Sequence, residues 1–208
     1  MVQNQAANAR VAGPNKILHA SPPPCKILLP MLPRWKKLSS ELVYENPWWR
    51  YRKDVFEREQ GKRGEYHYAS SYGSAMVIPI TARGELVLVE QYRYLLDRTS
   101  LEFPGGGVGK GEPPLVAAER ELAEECGSAG QLELIGTFNP WNGVTDEICH
   151  VYLADPIVPD QTGARPDATE SFIVHHLSLS DFEAQIASGR IWDGMSLAAY
   201  ALFRSRSG

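Results

Sequence analysis

Cysteine is scarce in this chain. The three present, Cys25, Cys126 and Cys149, are scattered and odd in number, which excludes a disulfide framework and any paired-cysteine metal site and fits thiols kept reduced in a cytoplasm. An excess of positive charge is also missing: 21 Lys and Arg against 25 Asp and Glu leave a net charge of −4. A nucleic-acid polymer is therefore not an expected partner, and any phosphate recognised has to be met by local arginine, lysine or metal. No apolar run approaches the ~18 residues of a membrane helix, and the greasiest stretch, 27–32, is cut by Pro30 and followed by Pro33. The N-terminus lacks the basic-then-apolar order of a signal peptide, so the expectation is a soluble cytoplasmic protein with no membrane partner. There is no internal repeat. His67, His150, His175 and His176 have no ligand spacing and read as structural.

What is present, 43% hydrophobic and 22% charged residues over 208 positions, suits one globular body with a good core and a terminal extension. Residues 1–35, rich in Ala, Asn and Pro without a sustained period, read as a disordered or loosely attached tail, with a partner-binding arm as the sharper alternative. Residues 36–71 read as a small antiparallel β subdomain with strands near 38–44, 48–58 and 65–70. On a strand, Trp48 and Trp49 face opposite sides, so at most one packs in the core of its own subunit. The other is a plain surface aromatic, part of a subunit interface, or a platform for a nucleobase.

Residues 72–208 form the remainder. Segments 73–81 and 85–94 look like a hairpin of buried strands around Ala82-Arg83-Gly84. Arg93, directly after, is either an edge ion pair or a bidentate clamp on phosphate. Leu101-Glu102-Phe103-Pro104-Gly105 delivers a bare backbone whose Gly105 carbonyl suits a metal. Further strands are expected at 132–138, 147–154 and 172–177, with loop 139–146 walling a pocket and loop 155–169 ending at Glu170. Ser180 and Glu183 read as a capping box on a helix that turns Phe182 and Ile186 inward and closes at Gly189. A last helix, about 195–204, packs Leu197, Tyr200 and Ala201.

The chemistry concentrates in 106–127, GGVGKGEPPLVAAERELAEECG. Pro113 and Pro114 suit a helix's first turn and Gly127 its left-handed end. At about 100° per residue, Leu115, Ala118, Leu122 and Cys126 form an apolar stripe, while Glu121 and Glu125 share an edge with Glu124 close by. Like charges four apart near a helix C-terminus repel one another and the macrodipole, and Arg120 answers only part of that charge. Carboxylates on one face suit a hard divalent cation such as Mg²⁺. A solvated acidic face laced by Arg120 is the plainer alternative.

The spacing of Gly106, Glu112, Arg120-Glu121-Leu122, Glu124-Glu125 and Gly127 resembles the Nudix box, with Ser128 replacing the family's usual aliphatic residue. Glu90-Gln91-Tyr92-Arg93-Tyr94, Leu101-Glu102-Phe103-Pro104-Gly105-Gly106, Asp146-Glu147 and Glu170 ahead of Phe172-Ile173-Val174 extend the resemblance, over about 37–203, to the ADP-ribose and nucleoside-diphosphate-sugar pyrophosphatase branch. The resemblance implies an α/β (α+β) fold: a Nudix α/β/α sandwich with a mixed sheet, preceded by a small N-terminal antiparallel β domain often exchanged in a homodimer. It implies hydrolysis of a nucleotide sugar such as ADP-ribose or GDP-mannose to a nucleoside monophosphate and a sugar phosphate. In that scheme Glu121 and Glu125 are the main Mg²⁺ ligands, Glu124 and the Gly105 carbonyl further ones, with Mn²⁺ as a substitute metal. Arg120 orients the carboxylates, Arg93 and Glu102 contact substrate, and Trp48 or Trp49 with Tyr66 sandwiches the base. The general base is Glu170, or alternatively Glu124, with Asp167 close to the first in sequence. A triphosphate house-cleaning pyrophosphatase and a non-catalytic nucleotide-sugar sensor are the competing functions.

Overall fold

The computed structural model describes residues 32–165 and 171–206, so most of the expected tail lies outside it. The chain first forms strands β1 (Lys36–Glu45), β2 (Arg50–Glu57) and β3 (Arg63–Ser70), paired antiparallel in that order. The β1–β2 turn is set by Asn46, whose Oδ1 accepts the N–H groups of Trp48 at 3.0 Å and Trp49 at 2.8 Å. This local bond removes both tryptophans from the expected strand: they stand in the turn before β2, and neither packs in the core.

Strands β4 (Ser74–Pro79), β5 (Leu86–Arg93), β6 (Arg98–Glu102) and β7 (Gly105–Gly107) follow, then helix α1 (Pro114–Cys126), β8 (Ser128–Ala129), β9 (Leu132–Phe138), β10 (Cys149–Ala154), β11 (Val158–Pro159) and β12 (Ile173–Leu177). Helices α2 (Leu179–Ala187) and α3 (Gly194–Ser205) complete the described chain. The expected hairpin between β4 and β5 does not form. β4 lies inside a sheet ordered β7-β4-β10-β9, β5 lies at the centre of β12-β5-β6, and a single bridge, Ile80 with Leu86, links them. The reason is burial: every residue of β4 is buried, so both its faces need cover, and it pairs in parallel with β10 as strands covered on both sides do. The mixed sheet thus has α1 on one face, over Ala75, Val77, Tyr152 and Ala154. The other face carries Met76, Ile78, Cys149 and Val151 against Leu88, Phe103, Phe182, Ile191 and Ala199. This is the α/β/α sandwich preceded by an antiparallel β sheet.

Three expectations about helices change. The buried face of α1 is Ala117, Ala118, Glu121, Leu122, Ala123 and Glu125, while Leu115 is exposed at its first turn. Small alanines let the helix approach the sheet closely and so bring the two glutamates in. Helix α2 is capped by Ser178, whose Oγ accepts the Asp181 N–H at 3.1 Å, because Leu179 packs on the core and draws the helix start ahead of Ser180. In α3 the inward alanine is Ala199, not the exposed Ala201.

Phe182 is fully buried, stacked on Phe103 with centroids 5.2 Å apart and tilted against Tyr200 at 4.7 Å. Phe182→Ala is expected to cost about 3–5 kcal/mol. Urea unfolding should show a lower midpoint at unchanged slope, and an unshifted midpoint would mean the aromatic trio does not support the core.

Candidate active site

Helix α1 begins after Pro113, whose backbone is extended, and ends at Gly127 with φ +57, the N–H of Gly127 returning to Ala123 and Leu122 carbonyls. It lies over β7, and the contact depends on glycine. A Cβ on Gly106 would run into both carboxylate oxygens of Glu121, with Glu121 Cδ only 2.6 Å away. The Gly105 N–H donates to Glu125 Oε2 at 2.9 Å. Both glutamates are buried.

Arg120 holds the box together. Its Nη1 donates to Glu121 Oε1 at 2.7 Å and Glu124 Oε2 at 3.0 Å, its Nε to Glu112 Oε1 at 3.3 Å and its Nη2 to the Gly107 carbonyl at 3.1 Å. Burial opposes the charge of this guanidinium, but the field of Glu121 and the bonds to Glu121, Glu112 and Glu124 outweigh it, so its pKa rises. Glu112 Oε2 accepts the Gly109 N–H at 2.7 Å; that bond first, and Arg120 with it, keeps Glu112 below the usual carboxylate range. One arginine and one backbone amide therefore answer the repulsion expected between the crowded glutamates. Among the described residues no group of three His, Cys, Asp or Glu side chains converges closely enough to hold a metal ion in this conformation. Three carboxylates and a glycine carbonyl are nevertheless a hard-oxygen donor set that fits Mg²⁺ chemically. Ser128, the departure from the box pattern, is buried and donates its hydroxyl to the Cys126 carbonyl at 3.1 Å.

A cleft of about 720 Å³ runs past the box. Trp48 and Trp49 both line it, together with Tyr72, Arg93, Glu102, the 105–109 backbone, Lys110, Glu112, Arg120, Glu147, Asp193 and Met195. Glu102 is buried and accepts two hydrogen bonds from Arg93, Nε to Oε1 at 2.8 Å and Nη2 to Oε2. That hydrogen bonding raises the Arg93 pKa against the cost of burial. Arg93 is thus an ion pair and a cleft cation together, since its side chain remains 45% exposed.

Tyr66 is not brought to the tryptophans within one chain. Its hydroxyl donates to the Gly143 carbonyl at 3.0 Å, and it lines a separate cavity with Lys37, Asp54, Tyr68 and Asp146. Loop 139–146, expected to wall a pocket, lines this second cavity through Asn139, Asn142, Thr145 and Asp146. Tyr72 stands beside the tryptophans instead, with the Arg50 guanidinium 4.3 Å over its ring. Tyr72, Lys110 and Asp193 carry no motif, and only the fold reveals them as lining residues. Glu170 and Asp167 lie outside the described residues.

The NUDIX domain family matches residues 72–192, and the family described as nucleoside diphosphate sugar hydrolase N-terminal domain matches 35–69. The chain belongs to the Nudix hydrolase family and is an enzyme of that class. It is 32% identical over 165 residues to the methanol dehydrogenase activator of Bacillus methanolicus, covering 79% of this chain and 89% of that protein. It is 34% identical over 153 residues to the ADP-ribose pyrophosphatase of Bacillus subtilis, covering 73% of this chain and 81% of the relative. A solved structure described as an ADP compounds hydrolase superposes with a TM-score of 0.73, covering 85% of this chain and 96% of that one at 20% identity, a likeness of fold. Among the described residues no helix is long and apolar enough to cross a membrane.

Proposed function

We propose that this Nudix hydrolase cleaves the diphosphate linkage of nucleoside diphosphate sugars, ADP-ribose or GDP-mannose among them, to a nucleoside monophosphate and a sugar phosphate. One observation carries the reading: a single cleft is lined by Trp48 and Trp49, by the Arg93–Glu102 pair, and by Glu112 and Arg120, the arginine that ties the helix carboxylates. The sequence likeness to a relative named ADP-ribose pyrophosphatase supports it. Glu121, Glu125, Glu124 and the Gly105 carbonyl would hold Mg²⁺, with Mn²⁺ as a substitute, and Arg120 orients the carboxylates. When bound, the cation neutralises diphosphate charge that otherwise repels the attacking water. Arg93 clamps phosphate in a bidentate way, and the tryptophans stack on the base.

Glu170 takes the proton from the attacking water, with Glu124 the alternative base. Glu170→Gln is expected to lower kcat by about a hundredfold at nearly constant KM, the signature of a group that acts in the transition state. An unchanged kcat moves the base to Glu124.

Residues 36–71 serve base stacking and homodimerisation, and 72–208 carry the chemistry in a cytoplasmic enzyme. Strand β1, exposed along its whole length with Leu42, Val43 and Tyr44 in the open, is an uncovered edge that supports pairing with a second copy. The activity is tested with ADP-ribose, GDP-mannose, ADP-glucose, UDP-glucose and dGTP, with Mg²⁺ and with chelator. Metal-dependent monophosphate release from the diphosphate sugars is the expected result. Pyrophosphate from dGTP alone moves the enzyme to the triphosphate branch, and tight binding without turnover makes it a sensor.

A further inference from the structure

The cleft wraps around the edge strand β7, and its two sides differ in chemistry. In the register, Gly106 pairs with Ala75, and both face α1; Ser74 and Met76, paired with Gly107 and Gly105, face the other way. Glu147, two residues ahead of β10 and bonded to Ser74 of that opposite face, also lines the cleft. It is held at three points. Its N–H donates to Thr145 Oγ1 at 3.1 Å, its carbonyl accepts Asn139 Nδ2 at 2.8 Å, and its Oε1 accepts the buried Ser74 hydroxyl at 2.6 Å. Among the described residues its Oε2 has no hydrogen-bond partner. Asp193 joins it in the cleft as the cap of α3: its Oδ2 accepts the Ser196 N–H at 2.7 Å, while Ser196 Oγ accepts the Phe103 N–H at 3.0 Å. Burial first, and then the charges of Glu147 and Asp193, push the neighbouring Cys149 thiol up to about 11, although a hydrogen bond with Ser74 pulls it down. Both carboxylates line the same cleft. Met195, half-buried, lines the cleft as well.

Carboxylates repel a diphosphate, which the half-exposed guanidinium of Arg93 in the same cleft attracts. Neutral hydroxyl groups are what two fixed carboxylate acceptors beside an apolar side chain take up, the hydroxyls on the oxygens and the C–H face of the ring on Met195. We propose that this part of the cleft is the sugar subsite, in which Glu147 and Asp193 accept hydrogen bonds from sugar hydroxyls and set the preference for a polyhydroxylated leaving group. The inference rests on the diphosphate-sugar reading.

The test uses Glu147→Gln, which keeps an acceptor for Ser74, and Asp193→Asn, which keeps the helix cap. Each is expected to raise KM for ADP-ribose by about tenfold, the loss of one charge-assisted hydrogen bond. KM for the methyl ester of ADP, which carries no sugar hydroxyl beyond the diphosphate, should stay within about twofold. Equal losses on both compounds, or none, overturn the subsite. Calorimetry with ribose 5-phosphate and methyl phosphate separates this from failure of the parent reading, because it needs no turnover. The wild type should bind ribose 5-phosphate the more tightly and the variants should erase that difference. If the difference is absent in the wild type or survives both substitutions, the subsite is wrong even where hydrolysis of nucleotide sugars is established.

Discussion

Glu125→Gln is expected to lower Mg²⁺-dependent hydrolysis by about a thousandfold while the protein stays folded. The side chain is buried, and its Oε2 accepts the Gly105 N–H at 2.9 Å. Glutamine retains an acceptor for that amide, so β7 and α1 remain joined and a thermal melt should move little. What is lost is one negative charge from a set of hard oxygen ligands. A bound cation contributes several kcal/mol of charge stabilisation in such a reaction, and each ~1.4 kcal/mol is tenfold in rate. The check is kcat/KM over a Mg²⁺ titration, with a melt in parallel. Near-normal turnover would place the metal away from this helix, and a collapsed melt would assign Glu125 to the fold instead.

Gly106→Ala should lose activity on the same scale without replacing any charged residue. The added methyl points at the Glu121 carboxylate, with Cδ 2.6 Å off, so that carboxylate has to leave its place beside β7. Arg120, bonded to Glu121 and to the Gly107 carbonyl, is drawn along with it. The methyl meets only the end of a flexible side chain, so the fold itself should be little affected. Gly107→Ala is the control, since nothing lies within 4 Å of its Cβ position. Measured together, Gly106→Ala should lose about a thousandfold in kcat/KM, the loss expected for removing a ligand, and Gly107→Ala should resemble wild type. Equal activities would mean that Glu121 has no fixed position to lose.

Much of the carboxylate site was legible in the order of residues because its signals are local. Pro113 and Pro114 open α1, Gly127 closes it in the left-handed region, and the four-residue spacing of Glu121 and Glu125 puts both on one face. The direction of that face was less legible. Of the expected stripe α1 buries Ala118 and Leu122 but leaves Leu115 exposed, because the close approach permitted by Ala117 and Ala118 turns Glu121 and Glu125 toward the sheet. Trp48 and Trp49 were read on a strand, and one asparagine side chain holding two backbone amides put them in a turn instead.

By itself, then, the sequence determined the box helix, the glycine-rich approach to it and the family, since each depends on neighbours within a few residues along the chain. Tertiary structure alone decided that β4 and β5 enter different sheets, that Gly106 makes room for Glu121, and that Trp48, Arg93, Glu147 and Asp193 share one cleft while Tyr66 stands in another. The physical reason is that strand partners and cleft walls are chosen by burial and hydrogen bonding between segments far apart in the chain, and no local period encodes that choice.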